Sequence, residues 1–146
     1  MSNVVTEPNV ARLEASLNNL VLALNSRRNA ILNKYNVNEM EVDIIRYLTE
    51  EEQKKMKEVG EHFNIKLSTL TSTIDKLEKN KLVKRKNSKE DRRVIFIRPT
   101  NKGQTLLTDL TGPAQNVAAF VNDNAKSSEL TSLQKRIDEM IDFLNK

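Results

Sequence analysis

Apolar residues recur at helical spacing along the first quarter of the chain. Over residues 9–35 they follow one another at steps of three, four or seven positions, which places them on one face of an α-helix. A helix of this length spans ~40 Å and extends beyond a small lobe. We therefore expect it to pack against a second copy of the chain, with an ordinary core helix as the alternative. The stripe consists of Leu13, Leu17, Leu20 and Leu24, the expected dimer contacts, followed by Ile31 and Tyr35.

Two shorter helices are predicted next. Asn38 is a good N-cap residue and Glu41 follows three positions later, as in a capping box, so a second helix begins near Asn38. The polar stretch 49–55 predicts a turn. A short helix over 58–63 ends at Asn64, because asparagine tolerates the left-handed conformation of a helix C-terminus.

The following helix, about 67–80, carries small hydroxyl residues beside a narrow apolar stripe of Leu70, Ile74 and Leu77. Serine and threonine are poor helix formers, but they can bond phosphates or base edges without bulk. A solvent-exposed helix face is the alternative interpretation. The candidate nucleic-acid contacts in this region are Lys66, Ser68, Thr69, Thr71, Ser72 and Lys76.

After this helix the pattern becomes strand-like. Residues 82–86 and 94–98 are β-prone runs, and a charged linker over 87–93 joins them, which predicts a β-hairpin closed by Pro99. Helix, turn, helix and hairpin in this order is the winged helix-turn-helix arrangement, expected over 38–100. The candidate contacts on the hairpin are Arg85, Lys86, Lys89, Asp91, Arg92 and Arg93.

The remainder of the chain is again helical in pattern. Thr100 is expected to cap a helix that the Gly112-Pro113 pair kinks or breaks, and helical spacing resumes over 114–121. A turn at 123–128 precedes a last helix over about 130–145. With the first helix, residues 101–146 would form a helical dimerisation region. The expected dimer contacts here are Leu133, Ile137, Met140 and Leu144.

Charge is concentrated in the middle of the chain. The whole sequence of 146 residues has a net charge of +4, but residues 54–102 hold 15 basic and 6 acidic residues, a net +9. The flanking segments therefore carry a net −5. Such asymmetry indicates a surface for nucleic acid or another polyanion, and a solvated lysine-rich face is the alternative.

Composition excludes several classes of function. The sequence has no cysteine and a single histidine, His62, so disulfides, thiol catalysis and cysteine or histidine metal sites are not expected. No constellation supplies a nucleophile, a base and an oxyanion site, so we expect no enzyme and no cofactor. No apolar run is long enough to span a membrane and no signal peptide is apparent, which predicts a cytoplasmic protein.

Residues 59–85, together with Asp91-Arg92-Arg93 and the later Ile97, Thr100 and Gly103, resemble the MarR family of winged helix-turn-helix transcription regulators. The order of helices extends the resemblance over a single domain of residues 1–146. It implies a mainly α fold with a small β-hairpin wing, and a homodimer formed by the N- and C-terminal helices. Two departures are Pro99 at the end of the wing and Lys81 where the family has glycine. Either Lys81 or Asn80 would then be left-handed.

The resemblance also implies roles for the candidate residues. The helix that carries Ser68, Thr69, Thr71, Ser72 and Lys76 would enter the major groove of DNA. Asp91 would orient a wing arginine in the minor groove, where Arg93 is the better match and Arg92 its competitor.

The expected function is a dimeric, sequence-specific regulator of transcription on double-stranded DNA. It would bind a pseudo-palindromic operator and act as a repressor relieved by a small phenolic or anionic effector. A ligand-independent architectural DNA binder and a helical protein–protein adaptor that has lost DNA binding are the alternatives. Candidate effector contacts are Arg27, Arg28, Tyr35, Arg46, Tyr47 and His62.

Overall fold

A computed structural model describes residues 8–146, which are mainly helical with a small antiparallel sheet. The predicted fold class is confirmed in these respects, whereas the dimerisation role of the terminal helices stays a prediction. The elements are α1 (Pro8–Tyr35), α2 (Glu39–Leu48), β1 (Lys54–Lys55), α3 (Met56–His62), α4 (Leu67–Lys79), β2 (Val83–Asn87), β3 (Ile95–Pro99), α5 (Asn101–Asn124) and α6 (Ser127–Leu144).

The chain forms two compact units, the first ending at Leu110 and the second beginning at Thr111. The first contains the hydrophobic core, to which α2, α3, α4 and the sheet each contribute apolar side chains. The predicted stripe of α4 is fully buried in it. The second unit is helical, and α6 has no buried residue. Fully buried core residues include Ile44, Ile45, Leu48, Leu70, Ile74, Leu77, Leu82, Ile97 and Leu106.

Local signals set the helix ends of the first unit. The Asn38 side chain accepts a hydrogen bond from the Glu41 amide at 2.9 Å, and the Glu41 carboxylate accepts one from the Asn38 amide at 2.9 Å, which confirms the capping box. Asn64 is left-handed at φ 50°. Of the two alternatives after α4, Lys81 takes the left-handed conformation at φ 62°, at a cost of about 1 kcal/mol.

The sheet has three strands rather than the two of a simple hairpin, in the order β1-β3-β2. Lys54 and Lys55 pair with Ile97 and Phe96, so the prediction of a turn across 49–55 is wrong for its last two residues. A two-residue strand has no alternation of its own to reveal it, because only pairing with β3 defines it.

Of the kink or break predicted at Gly112-Pro113, the break is wrong, because α5 is one helix of 24 residues with Pro113 inside it. Proline removes one helical hydrogen bond and is unfavourable there. The apolar positions on its two sides keep one helical phase, however, from Leu106 and Leu110 to Val117 and Val121, and this favours a continuous helix.

The other helix limits move slightly: α3 begins at Met56 and α6 at Ser127, which shortens the turn predicted at 123–128.

Candidate nucleic-acid interface

The hydroxyl side chains of α4 form a short polar face. Ser68, Thr69, Thr71 and Ser72 are all exposed. The Thr71 hydroxyl donates to the Leu67 carbonyl at 2.7 Å and the Ser72 hydroxyl to the Thr69 carbonyl at 2.8 Å. Each of these two oxygens keeps its acceptor capacity on the solvent side. The face therefore offers small polar groups and no bulky side chain between the helix and an approaching surface.

Lys76, a predicted DNA contact on the same helix, has a partner inside the protein. Its ammonium lies 2.9 and 2.8 Å from the two carboxylate oxygens of Glu41. The Glu41 side chain is only 6% exposed, and it is the same carboxylate that caps α2. The contact joins α4 to the start of α2, which indicates a positioning role for Lys76. Its contact with DNA stays a prediction.

Arg85 holds α4 from the sheet side. Its guanidinium pairs with Asp75 at 2.6 Å and Glu78 at 2.9 Å, and it donates to the Thr71 carbonyl at 3.1 Å. The side chain is 23% exposed. Arg85 therefore ties the sheet to α4, and its direct contact with DNA also remains a prediction.

Hydrogen bonds between residues close in sequence fix the loop between β2 and β3. The Ser88 hydroxyl accepts from the amides of Glu90 and Asp91, and the Asp91 carboxylate accepts from the Arg93 amide at 2.9 Å. Asp91 thus orients the backbone at Arg93 rather than a guanidinium. Within the described part of the chain, neither Arg92 nor Arg93 pairs with an acidic side chain.

The remaining predicted cations are likewise uncompensated. They are exposed, and no carboxylate of the described residues lies within 4 Å of their charged groups. An exposed cation with no internal partner is available to a phosphate, whereas Lys76 and Arg85 are already engaged. The uncompensated group on α4 and the wing comprises Lys66, Lys86, Lys89, Arg92 and Arg93.

The predicted dimer contacts are apolar side chains that a single chain leaves uncovered. Leu24 is half-buried, and the others are exposed, from 40% at Met140 to 80% at Leu144. Apolar groups exposed in this number along helix faces are typical of a surface that another protein covers. The exposed members are Leu13, Leu17, Leu20, Leu133, Ile137, Met140 and Leu144.

Among the candidate effector residues, Tyr47 and His62 contact each other, whereas two of the arginines pair with acids. Arg28 is hydrogen-bonded to Glu39, which lowers the pKa of that carboxyl, and Arg46 pairs with Asp43. The Tyr47 and His62 rings stack with centroids 3.8 Å apart.

Tyr35 belongs to a contact between α1 and α5. Its hydroxyl donates to Asp109 at 2.8 Å, and Lys34 donates to the same oxygen at 3.0 Å. Burial, followed by this hydrogen bond, raises the pKa of Tyr35, and the hydrogen bonds from Tyr35 and Lys34 lower the pKa of Asp109.

An open depression of about 900 Å³ involves none of the six candidate effector residues. It lies against the base of the sheet and the start of α5, and its lining carries both signs of charge. The charged residues of that lining are Glu50, Glu51, Glu52, Lys81, Lys84, Arg98 and Lys102.

The sequence interpretation missed the acids that hold α4, namely Glu41, Asp75 and Glu78. Asp75 and Glu78 lie one turn apart on the helix and so can share one cation, a spacing that was a usable signal. Glu41 gave no such sequence signal, because 35 residues separate it from Lys76.

Across residues 8–146, no cluster of acids and His62 suits a metal ion, and no helix has the length and apolarity to cross a membrane.

These features define the class of the protein: a winged helix-turn-helix lobe with an exposed polar helix and a basic wing. Residues 28–110 match the family described as transcriptional regulator SarA/Rot, and the chain belongs to this family. The predicted resemblance to MarR-type winged helix-turn-helix regulators is thereby confirmed. The protein is a DNA-binding transcriptional regulator, and its family is not one of enzymes.

Individual relatives agree with this assignment. The chain is 31% identical over 88 residues to the HTH-type transcriptional regulator MhqR of Bacillus subtilis (strain 168), a match that covers 60% of this chain and 61% of MhqR. It is 24% identical over 113 residues to the HTH-type transcriptional regulator MgrA of Staphylococcus aureus, covering 77% and 76% of the two chains.

Solved structures share the fold at lower identity. MepR of S. aureus, in a crystal structure of its complex with DNA, is 15% identical with a TM-score of 0.72, over 86% of this chain and 94% of MepR. The YusO protein of Bacillus subtilis is 20% identical with a TM-score of 0.70, over 90% and 94%.

Proposed function

We propose that the protein binds a pseudo-palindromic DNA duplex as a homodimer and represses transcription by occupying a promoter. The observation that carries this proposal is the division of the lobe's cations into two groups. Lys76 and Arg85 are bonded to acids that hold α4 in place, whereas the exposed cations of α4 and the wing have no internal partner. A rigid polar helix flanked by free cations suits DNA, since phosphate contacts position a protein and base edges specify its site.

In the proposed complex, α4 enters the major groove with Ser68, Thr69, Thr71 and Ser72 toward the base edges. Lys66 binds a backbone phosphate beside the start of the helix. On the wing, Lys86 and Lys89 meet phosphates, and Arg92 or Arg93 enters the adjacent minor groove, where a narrow groove attracts a guanidinium.

The homodimer part of the proposal rests on the exposed leucines of α1 and the exposed apolar residues of α6. A dimer with two-fold symmetry places two copies of α4 on one side of the duplex. Half-sites about 10 bp apart follow from the helical repeat of DNA.

Relief of repression by a small phenolic or anionic effector is the remaining part of the proposal, and the resemblance to MarR-type regulators supports it. An effector of this kind must bind the DNA-free form more tightly than the bound form. Thermal unfolding with a panel of phenolic acids tests it. A stabilising compound should also release DNA, and the absence of any stabilisation across the panel favours the ligand-independent binder.

Selection from a random duplex library tests the DNA proposal directly. We expect an enriched site with two-fold symmetry, two chains per duplex by sedimentation, and affinity that falls steeply with salt concentration. Failure to enrich any sequence, together with a flat salt response, would favour the protein–protein adaptor.

A further inference from the structure

The outer face of the sheet, turned away from the helices, carries a cluster of cations. Side chains alternate between the faces of a strand, and residues opposite each other in an antiparallel pair share a face. Lys84 lies opposite Arg98, and Phe96 lies opposite both Lys86 and Lys55. These five residues therefore occupy one face, with four cations around one aromatic ring.

The four cations of this outer face are exposed, and none pairs with a carboxylate of the described chain. Like charges directly opposite in a sheet, as at Lys84 and Arg98, are unfavourable. Phe96 is half-buried and is not among the partly buried residues that pack on the hydrophobic core. Within the described chain this face therefore forms no ion pair, and the acids that share a depression with Lys84 and Arg98 are Glu50, Glu51 and Glu52.

The cations on the inner face of the sheet, in contrast, form ion pairs. Arg85 pairs with Asp75 and Glu78, and Lys54 pairs with Glu51 at 3.0 Å. Glu50 also pairs with Lys54, so Glu50 and Glu51 share one cation, and Glu52 is the third acid that lines the depression next to Lys84 and Arg98. Because inner cations are paired and outer ones are not, the outer face is a positive surface.

We propose that the outer face of the sheet, through Lys84 and Arg98, binds phosphates of the duplex beyond the half-site that α4 and the wing occupy. This inference rests on the proposed function and extends it to a second contact surface. The outer face continues from the wing loop, since Lys86 precedes that loop by two residues and Lys84 by four. At the rise of a strand, Lys84 lies about 10 Å back from Asn87, the last residue of β2.

The continuity of the cations decides between DNA and an acidic protein as the occupant. Lys89, Lys86 and Lys84 form one track along β2 and the loop, and the first two are proposed phosphate contacts at the half-site. A flexible or bent duplex meets such a track with regularly spaced charges, as in proteins that wrap DNA along a basic flank. An acidic protein surface is the competing occupant, and the experiment separates the two.

The test compares two duplex lengths with a variant of the outer face. The short duplex contains only the two half-sites recovered by the selection and the bases between them, and about 10 bp are added at each end for the long one. The variant is Lys84→Gln/Arg98→Gln. Its control is Lys126→Gln/Lys146→Gln, which removes the same charge from exposed positions outside the winged lobe.

We expect wild type to bind the long duplex more tightly than the short one, and the variant to lose that gain. Loss of two phosphate contacts makes the fall of log K with log salt less steep by about 1.8, on the long duplex alone. Binding of that duplex at moderate salt should be about tenfold weaker. The control should match wild type on both duplexes.

Other outcomes overturn the inference and show which proposal has failed. Equal weakening of the variant on both duplexes places the outer face at the half-site itself. No effect on either length removes DNA as its occupant and leaves an acidic protein partner. If wild type fails to bind even the short duplex, the proposed function has failed, and length dependence plays no part in that result.

Discussion

Lys76 carries a charge that sequence reasoning assigned to DNA, but its ammonium lies within 2.9 Å of both Glu41 oxygens. Lys76→Met leaves a nearly buried carboxylate without its cation. Because Lys76 itself is 40% exposed, we expect a loss of about 1–2 kcal/mol in the free energy of unfolding, below the cost for a fully buried pair. Urea denaturation measures this loss.

DNA binding separates this positioning role from a phosphate contact. Lys76→Met should leave the slope of log K against log salt unchanged. Lys66→Met, which removes an exposed and unpaired cation, should make the slope less steep by about 0.9 and leave the free energy of unfolding unaltered. A Lys76 variant with wild-type stability and a reduced slope would make Lys76 a phosphate ligand.

Arg92 and Arg93 present the opposite case, because both are exposed and neither guanidinium has an acidic partner in the described chain. Arg92→Ala/Arg93→Ala should weaken operator binding about tenfold or more by fluorescence anisotropy, while changing unfolding free energy by under ~0.5 kcal/mol. The loop hydrogen bond survives, since Asp91 accepts from the backbone of residue 93. Lys126→Ala is the control, and equal effects of the two variants would remove the wing from the interface.

At the level of elements, α1 and α5 are joined through Tyr35 and Asp109. The hydrogen bonds from Tyr35 and Lys34 lower the pKa of Asp109, so the ionised carboxylate stabilises the folded state. This contribution is fully present above the ordinary carboxyl pKa of about 3.9 and is lost as pH falls through the lower folded value. Tyr35→Phe should cost about 1 kcal/mol at pH 7, and the difference from wild type should shrink below pH ~4. A difference that is constant from pH 7 to pH 3 would contradict this.

Elements with their own local signals were predicted well, and elements defined by distant partners were not. The cap at Asn38 and the stripe of α4 lie within a few residues, and the structure confirms both. Strand β1 exists only through its pairing with β3, more than 40 residues later, and was missed. The helix does not break at Pro113, because its apolar phase continues across that local breaker.

The same distinction applies to the candidate interface. The exposure of the hydroxyls on α4 and of the basic residues on the wing follows from helical and strand periodicity, and the structure confirms that exposure. Whether a given cation is free or paired depends on acids brought close by folding, as Glu41 is to Lys76 across 35 residues. Sequence periodicity therefore predicts a candidate interface but does not distinguish its exposed cations from those that are paired inside the protein.

For the whole molecule, the central net charge of +9 and the flanking −5 correspond to different surfaces. Within the winged lobe, exposed cations without an ion pair lie on α4 and on the wing with its sheet, whereas the terminal helices expose apolar side chains. In the proposed dimer, the basic charge lies on the surface that meets DNA. The apolar surface that meets the second copy is kept free of the repulsion that basic charge would cause. Association and DNA binding should then be coupled, because two half-sites need two lobes.

Leu17→Glu tests the dimer at the centre of the exposed α1 stripe, where Leu17 is 41% exposed in the single chain. A carboxylate buried without a partner opposes association, and a penalty of about 3 kcal/mol would raise the dimer dissociation constant roughly 100-fold. Asn18→Glu adds the same charge to the next position of the helix, off the stripe, and is the matched control. Sedimentation equilibrium across nanomolar to micromolar concentrations should show the Leu17 variant dissociating while the control remains dimeric, and operator affinity should fall only for the first. A wild-type protein that is monomeric at ~10 μM, or equal dissociation of both variants, would exclude α1 as the dimer surface.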